Sequence, residues 1–346
     1  MNFRVMVLLT AAALVLVPLS ALPFSPPGEE PFGAVQPISV PAGGALSAPP
    51  QTDSIYRGAP QGFRILDAST GQVEEVAAAD FVRGAVAAEM PALYHPEALK
   101  AQAVAAYTYA VFQALRQREH PDPALQGADF SADPANLQVW MTREAAEDFY
   151  GEQFALCWSR VCRAADEAGR YLLLWQGEPI AAAYHAISAG KTEDAAYIWP
   201  GEPLPCLRAV ESEGDLLAAG YESSLTLSSG ELAQRLTAAL PGLTLPENRA
   251  EWLTLLEHSP SGYVTRVQVG DQTLSGQDLR FLLGLRSGHF QVAEQNGVFT
   301  FTVQGYGHGA GLSQNGADYM ARQGASFDEI LLHYYPGATL ALAAAQ

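Results

Sequence analysis

The hydrophobic and polar positions change period along the chain, and the changes predict a mixture of strands and helices. Residues 263–269 alternate apolar and polar side chains as a half-buried strand does, and residues 63–67 and 298–304 are also typical of strands. Leucine and alanine spaced three and four residues apart predict one long helix over residues 96–118. The elements do not form a regular βαβ series, so the predicted fold class is α+β, with mixed helices and antiparallel strands.

Capping residues and prolines predict where the helices begin and end. Asp80 suits the N-cap of a short helix over residues 81–88, which should end by Met90 because the residue before a proline is pushed out of the helical region. Pro96 suits the first turn of the long helix. The same signals predict further helices over residues 142–169 (one or two), 229–240, 275–285 and 326–333, and strands over residues 170–175 and 179–184 joined by a turn.

An apolar run at the N-terminus precedes a segment rich in Pro, Gly, Ser and Ala. The run covers residues 5–22, and about 18 residues lies between the length of a signal-peptide core and that of a minimal membrane span. Residues 19–21 fit the small-residue cleavage pattern poorly, which favours an uncleaved anchor. We therefore predict an anchor or signal peptide at residues 1–22, an extended linker at residues 23–60 and a folded domain at residues 61–346. The domain is exported in either case, and it is secreted if the anchor is cleaved.

The composition favours a folded protein and argues against nucleic-acid binding. Hydrophobic residues make up 49% of the chain, which is enough to build a core. The 37 acidic residues outnumber the 19 basic residues, and the formal net charge is −18. Neutralising phosphates requires a basic face, which the sequence lacks, so we expect no nucleic acid among the partners.

Three cysteines are an odd number for an exported protein, so at most one disulfide can form. Cys157 and Cys162 lie five residues apart on a predicted helix and do not share a face, whereas Cys206 could pair with either. A zinc site formed by these thiols with His185 is a second alternative, although no C-x-x-C pair supports it. Buried free thiols are the state that we expect.

Glu89 is the first candidate for chemistry, because it lies just before a helix break in an apolar segment. Val, Ala and Ala precede it, and Met and Pro follow it. Removing a carboxyl from water raises its pKa, and a general acid needs a raised pKa near neutral pH. The alternative is a helix-end glutamate that points into water.

Two segments around this glutamate carry a family resemblance. Residues 81–91 read Phe-Val-Arg-Gly-Ala-Val-Ala-Ala-Glu-Met-Pro, and residues 97–106 read Glu-Ala-Leu-Lys-Ala-Gln-Ala-Val-Ala-Ala. They resemble the signature of the SpoIID family of peptidoglycan-cleaving proteins from sporulating bacteria, and that of its amidase-enhancer relatives. In that family the glutamate before Met-Pro is the catalytic acid/base, so the resemblance implies this role for Glu89.

The resemblance also extends to candidate substrate contacts and to the absence of a metal. Lys100, Gln102 and Tyr107 lie in or beside the signature and are candidate contacts. The family usually has arginine where this chain has Tyr107, which leaves the role of that position open. Some relatives carry a zinc-binding Cys…His-Cys cluster near residues 130–139, but residues 131–138 here contain no such ligand. We therefore predict no metal at that site and no cofactor.

A second matching segment, residues 185–193, reads His-Ala-Ile-Ser-Ala-Gly-Lys-Thr-Glu. Lys191 and Thr192 could donate hydrogen bonds to sugar hydroxyls or N-acetyl groups, and Trp199 could be an aromatic platform or a core residue. The Gly-Lys-Thr run is not a phosphate-binding loop, because that loop requires a glycine where His185 stands.

The third matching segment is a glycine-rich loop at residues 305–317, which reads Gly-Tyr-Gly-His-Gly-Ala-Gly-Leu-Ser-Gln-Asn-Gly-Ala. Glycines permit positive φ and close backbone approach, so a glycan could lie against the loop. His308, Ser313 and Gln314 are candidate substrate contacts or orienting groups for Glu89, and a structural hydrogen bond is the alternative for His308. A serine hydrolase built on Ser313 and His308 is disfavoured, because no G-x-S-x-G motif surrounds the serine.

The mechanism follows from the number of available carboxylates. Glycoside cleavage usually takes two, and the chain offers Glu89 with Glu193 and Asp194 as weaker candidates. One suffices if the C6 hydroxyl of N-acetylmuramic acid (MurNAc) is the nucleophile. The resemblance accordingly implies a SpoIID-type domain with a substrate cleft, acting as a lytic transglycosylase on peptide-free glycan strands. The alternatives are a hydrolase that uses Glu193 or Asp194, and a non-catalytic glycan-binding protein that activates an amidase.

The resemblance also implies partners and a location. It places the protein in the mother-cell membrane, facing the engulfment space during sporulation. There it would act on peptidoglycan strands together with a SpoIIP-like amidase, which removes the stem peptides, and a SpoIIM-like membrane scaffold.

Overall fold

The structure is a computed structural model that describes residues 54–67, 70–132, 140–201 and 204–344. The predicted anchor and most of the predicted linker lie outside these ranges. Within them, no helix is both long enough and apolar enough to cross a bilayer.

Helices and short strands alternate irregularly along the described chain, as an α+β fold requires. The helices are α1 (Ala78–Glu89), α2 (Pro96–Glu119), α3 (Arg143–Tyr150), α4 (Phe154–Ala168), α5 (Ala195–Ile198), α6 (Ser229–Ala239), α7 (Gly276–Leu283), α8 (Gln314–Arg322) and α9 (Phe327–Tyr334). The strands are β1 (Ile55–Tyr56), β2 (Gly62–Asp67), β3 (Gln72–Ala77), β4 (Phe130–Ala132), β5 (Tyr171–Trp175), β6 (Glu178–Pro179), β7 (Tyr184–His185), β8 (Glu222–Ser228), β9 (Leu253–His258), β10 (Val264–Val269), β11 (Gln272–Ser275), β12 (Phe290–Gln295), β13 (Val298–Gln304), β14 (Leu312–Ser313) and β15 (Thr339–Ala343).

Helix α2 is the centre of the first hydrophobic core. Its alanines are buried along most of its length, which lets α1, α4 and β5 pack closely against it. As the sequence predicts, α2 begins with Pro96, and α1 ends before Met90. The predicted N-cap at Asp80 is wrong, because β3 leads directly into α1 and leaves Asp80 in the first turn.

Two small sheets complete this core, in the orders β3-β2-β4 and β1-β15-β5-β6. Strand β1 lies inside the range predicted as linker and pairs in parallel with β15, so the fold includes residues before 61. The strand predicted over residues 179–184 is divided, since β6 pairs with β5 whereas β7 pairs with β14. The parallel β7–β14 pair places two distant parts of the chain side by side.

A second hydrophobic core lies in residues 222–304 and consists of two similar halves. One half is the antiparallel sheet β9-β10-β11 followed by α7, and the other is the sheet β12-β13-β8 with α6 after β8. Each helix begins after a Thr-Leu-Ser sequence. The hydroxyl of its serine, Ser228 or Ser275, caps the helix by accepting from the backbone N–H of an acidic residue three positions on. Along the chain β8 and α6 come before β12 and β13, so the second half has the same elements in a circularly permuted order.

Candidate functional site

Five buried polar atoms without hydrogen-bond partners mark the candidate site. The described part of the chain contains seven such side-chain atoms, and two of these belong to arginines elsewhere. The other five are Glu89 Oε1, Gln102 Nε2, His185 Nε2, His308 Nε2 and Gln314 Oε1. Each unsatisfied buried group costs roughly 1–3 kcal/mol, so five of them on neighbouring segments single out this region as the candidate site.

Glu89 is the last residue of α1, and only 4% of its surface is exposed. Burial raises the pKa of its carboxyl to about 8, so the group is mostly protonated at neutral pH. The negative end of the helix disfavours ionisation in the same direction. The alternative of a glutamate that points into water is therefore wrong, and the partly desolvated carboxyl is confirmed.

Two glutamines and a tyrosine connect this carboxyl to the rest of the site. Gln314 Nε2 donates to Gln102 Oε1 at 3.3 Å, which leaves the other polar atom of each amide without a partner. Burial raises the pKa of Tyr184 well above its ordinary value, and the charge of Glu89 raises it further, whereas the polar side chain of Gln102 lowers it. The structure thus brings the predicted Gln102 and Gln314 together with Tyr184, which the sequence did not single out.

Two buried histidines form the other part of the site. The ring centroids of His185 and His308 lie 5.6 Å apart, and the half-buried Trp199 ring lies 5.0 Å from His308. Burial lowers the pKa of His185 to about 4 and that of His308 well below its ordinary value, so both rings are neutral at pH 7. The Tyr184 backbone acts in the opposite direction and raises the pKa of His308, but burial outweighs it.

The backbone of Ala310 forms hydrogen bonds with both histidine rings. His185 Nδ1 lies 3.1 Å from the Ala310 carbonyl oxygen, and the Ala310 N–H donates to His308 Nδ1 at 3.1 Å. The structural hydrogen bond expected as the alternative for His308 is therefore present. His185 entered the sequence prediction only as a zinc ligand; its pairing with His308 depends on the β7–β14 contact.

A buried carboxylate, Asp215, holds the two segments of the site together. Its donors are the N–H and hydroxyl of Ser188, the hydroxyls of Ser212 and Ser313, and the side-chain amide of Asn315. These donors flank His185 on one segment and Gln314 on the other, so Asp215 fixes their separation. The sequence missed this residue, because a lone acidic residue in a polar stretch carries no signal for such a role.

Lys100 and Tyr107, two of the predicted substrate contacts, are buried in the first core. Lys100 Nζ lies 2.9 Å from Glu97 Oε1 and 2.8 Å from Glu167 Oε2. The Tyr107 ring packs edge-on against Phe63 with centroids 6.3 Å apart. These contacts indicate structural roles for both residues.

Thr192 and Ser313 are also bonded within the fold, whereas Lys191 lies at the surface. The Thr192 hydroxyl exchanges hydrogen bonds with the Val210 backbone, and the Ser313 hydroxyl caps α8 besides reaching the buried carboxylate. Lys191 Nζ lies 3.0 Å from Glu211 Oε1 in an exposed pair. Such a pair is weak, so Lys191 is the one of these three that a ligand can still engage.

The two weaker candidate carboxylates are engaged within the fold. Glu193 Oε1 accepts from the Asp194 N–H, and Glu193 Oε2 accepts from the Ser259 hydroxyl. Asp194 caps α5 through the Ala196 N–H and pairs with Arg208. Glu89 is therefore the candidate carboxyl that keeps an oxygen free of protein partners.

The cysteines contribute neither a disulfide nor a metal site to the described structure. Cys157 and Cys206 are buried free thiols, and Cys162 is a half-buried one. No group of three His, Cys, Asp or Glu side chains in the described ranges is arranged to hold a metal, so the alternative zinc site with His185 does not form there. Residues 133–139, where the absence of zinc was predicted, lie outside the described ranges.

The fold and the site define an α+β protein with a buried carboxyl of raised pKa and two buried neutral histidines. The SpoIID family model, described as stage II sporulation protein, matches residues 67–174, which include Glu89 and Gln102. Stage II sporulation protein D of Bacillus amyloliquefaciens is 32% identical over 80% of this chain and 78% of its own length. Its namesake from Bacillus subtilis strain 168 is 30% identical over 84% of this chain and 79% of its own length. The chain therefore belongs to the stage II sporulation protein D family.

A more distant relative widens the comparison. The amidase enhancer of Bacillus subtilis strain 168 is 25% identical over 75% of this chain and 40% of its own length.

Proposed function

We propose that the protein is a lytic transglycosylase that cleaves peptide-free peptidoglycan strands between MurNAc and N-acetylglucosamine (GlcNAc) during sporulation. The observation that carries the proposal is Glu89, a buried carboxyl with a pKa of about 8 and an oxygen without a protein partner. The names of the two closely matched relatives support the sporulation role, since both are stage II sporulation proteins.

In this mechanism Glu89 acts twice. It first gives its proton to the glycosidic oxygen while the bond from that oxygen to C1 of MurNAc breaks. The C6 hydroxyl of the same MurNAc then attacks C1 and returns a proton to the Glu89 carboxylate. The products are a 1,6-anhydroMurNAc end and a free GlcNAc hydroxyl, and no water is consumed. Desolvation favours both steps, because a carboxyl with a raised pKa is an acid at neutral pH and a stronger base once ionised.

Hydrolysis is less well supported, because it needs a second group to position water on the opposite face of the sugar. Glu193 and Asp194 were the candidates for that group, and their oxygens are bonded to protein donors. An internal nucleophile requires no such group. A serine hydrolase is also disfavoured, because the Ser313 hydroxyl donates to Asp215.

A non-catalytic role as an amidase activator is the second candidate, since one relative is named amidase enhancer. A binding module has no need of a carboxyl held out of water without a hydrogen-bond partner, an arrangement that reduces stability. The environment of Glu89 therefore favours the enzyme. Cooperation with a SpoIIP-like amidase and a SpoIIM-like scaffold remains part of the proposal, as does an N-terminal anchor that holds the domain outside the mother-cell membrane.

The proposal is tested by incubating the protein with peptide-free glycan strands and analysing the products by mass spectrometry. We expect anhydroMurNAc ends from the wild type and a loss of at least about a hundredfold in rate for Glu89→Gln, as for removal of a general acid. Glu119→Gln is the matched control, because Glu119 is the last residue of α2 and is exposed.

Two other outcomes would contradict the proposal. Reducing ends in place of anhydro ends would establish a hydrolase. Binding of strands without cleavage, equal in the wild type and Glu89→Gln, would establish the non-catalytic role.

A further inference from the structure

Arg280 is a buried positive charge without a carboxylate partner. Two lysine or arginine side chains of the described ranges are buried, and the other one, Lys100, lies between two carboxylates. Arg280 instead donates to two backbone carbonyl oxygens and to one side-chain amide oxygen. Burial is the main cause of the low pKa of both site histidines, and the charge of Arg280 lowers it further. The fold thus leaves an uncompensated positive charge close to the candidate site, where buried charges are normally paired.

Arg286 presents a second guanidinium, which stacks on the Tyr306 ring of the glycine-rich loop. Its Cζ atom lies 4.2 Å from the centroid of that ring. The backbone is held as well, because the Arg286 carbonyl oxygen accepts from the Gly307 N–H at 2.9 Å and from Arg280 Nη2 at 3.2 Å. Gly307 in turn lies against His185, where a side chain at Gly307 would overlap the histidine Cβ atom. Arg286 therefore lies next to the candidate site, outside its buried group.

The end of the Arg286 guanidinium is open to solvent. Its Nε atom is buried without a partner, but neither Nη1 nor Nη2 is a buried atom of that kind. Within the described ranges no hydrogen bond or ion pair engages either of them, so both reach the solvent. A side chain at Gly220 would lie 3.3 Å from Nη1 and 3.5 Å from Nη2, so the glycine there leaves both nitrogens uncovered. Two parallel N–H groups on a fixed guanidinium fit the two oxygens of a carboxylate.

The charge of the proposed substrate fits this pair of arginines. The protein as a whole repels anions, since its formal net charge is −18, so an anionic ligand needs a locally positive contact. A peptide-free glycan strand is such an anion, because each MurNAc carries a free carboxylate on its lactyl group. In a strand that bears stem peptides the same carboxyl is a neutral amide.

We propose that Arg286 binds the lactyl carboxylate of a MurNAc residue and thereby selects strands without stem peptides. The Nη1 and Nη2 N–H groups donate to the two carboxylate oxygens, while the Tyr306 ring holds the guanidinium in place. The buried charge of Arg280 adds to the attraction. An amide at the same position has no charge and one oxygen, so it loses the paired contact. The inference rests on the proposed glycan substrate but not on its cleavage.

Calorimetry with acidic and neutral strands tests the proposal. Peptide-free strands are compared with the same strands after their lactyl carboxylates have been converted to methylamides. All proteins carry Glu89→Gln, so that the strands stay intact during the measurement. With Arg286 present, we expect the methylamide strand to bind about tenfold more weakly than the acidic strand. Arg286→Gln should bind the acidic strand about tenfold more weakly and should no longer distinguish the two strands.

Two further variants control for charge and for folding. Arg249→Gln removes the same charge from an exposed position within residues 222–304, and it should keep the full preference for the acidic strand. Arg286→Lys keeps the charge but lacks the two parallel N–H groups, so it should keep part of the preference. The comparison of the two strands with Arg286 present requires no substitution at that position, so it decides the question even if Arg286→Gln is unstable.

Equal affinity for the two strands with Arg286 present would overturn the inference. An equal loss for both strands in Arg286→Gln would also overturn it, because the arginine would then have a structural role, and so would a loss of the preference in Arg249→Gln. Anhydro ends in the cleavage experiment without a preference for acidic strands would leave the transglycosylase and remove this site. A preference that depends on Arg286, without cleavage by the wild type, would remove the transglycosylase and leave the carboxylate site.

Discussion

At the residue scale, Glu89 combines two conditions that oppose its ionisation. Its carboxyl is out of water, and it lies at the negative end of α1. The sequence indicated the apolar neighbours that make the first condition plausible. It could not show that an oxygen of the carboxyl would lack a hydrogen-bond partner, because the groups around that carboxyl come from distant segments.

The raised pKa of Glu89 gives a pH dependence of cleavage. The reactive form is the protonated acid, so we expect kcat/KM to fall as pH rises through about 8. The profile should have this single descending limb, since one group is both acid and base. Product formation measured from pH 5 to 9 checks this, and a rate that rises through pH 8 would contradict it.

The same shift predicts how stability changes with pH. The folded protein holds the Glu89 proton up to about pH 8, whereas the unfolded chain releases it near the ordinary glutamate pKa of 4.5. The stability contributed by this proton is complete below pH 4.5 and is lost as pH rises towards 8. Urea unfolding measures the free energy of unfolding of both proteins from pH 5 to 8. We expect the stability of Glu89→Gln relative to the wild type to rise by roughly a few kcal/mol across this range. A difference in the free energy of unfolding that stays constant with pH would contradict the raised pKa of Glu89.

At the scale of elements, long-range pairing of short segments builds the site. The parallel strands β7 and β14 are two residues each, and no pattern of that length predicts a strand. The longer strands β3, β8, β9, β12 and β15 were missed for a related reason, because side-chain burial along them depends on the helices and sheets that cover them. The helices were predicted better, since caps and prolines act locally.

Glycine substitutions test the close approach of the loop. Gly311 and Gly284 have the same φ of +71°, but a side chain at Gly311 meets the Ala183 backbone whereas one at Gly284 meets nothing within 4 Å. Gly284→Ala should lower the free energy of unfolding by about 1–2 kcal/mol through backbone strain alone. Gly311→Ala should cost clearly more and weaken glycan binding, because the loop must move away from β7. Equal losses in denaturant unfolding would show that the loop is not held against β7.

At the scale of the whole molecule, residues 222–304 form a unit with its own core and adjacent ends. Glu222 is paired with Gln304 across β8 and β13, and the Gly305 N–H donates to the Tyr221 carbonyl at 2.7 Å. The turn between β9 and β10 contacts the segment of residues 185–193, since the Ser261 hydroxyl donates to the Thr192 carbonyl at 2.9 Å. The unit thus supports the segment that carries Lys191 and Thr192.

A fragment of residues 221–305 should fold by itself, because its core is separate and its ends meet. We expect cooperative thermal unfolding and dispersed amide signals in NMR. A fragment in which Leu232→Ala and Leu279→Ala remove side chains fully buried beneath the two sheets should not fold, and it serves as the control. A wild-type fragment without a cooperative transition would show that the unit depends on the first core.

The sequence by itself determined the fold class and most helix ends, and it selected Glu89 as the candidate acid, because periodicity, capping and the residues around Glu89 are local properties. It also selected Gln102, His308 and Gln314, which lie at the site. It gave equal weight to residues that the fold uses for its own hydrogen bonds and packing, namely Lys100, Tyr107, Thr192 and Ser313. Only the tertiary structure distinguished the residues at the site from those that stabilise the fold. Whether a polar atom faces a protein partner or an open site depends on residues that are brought together from far along the chain, as Ala310 is with His185.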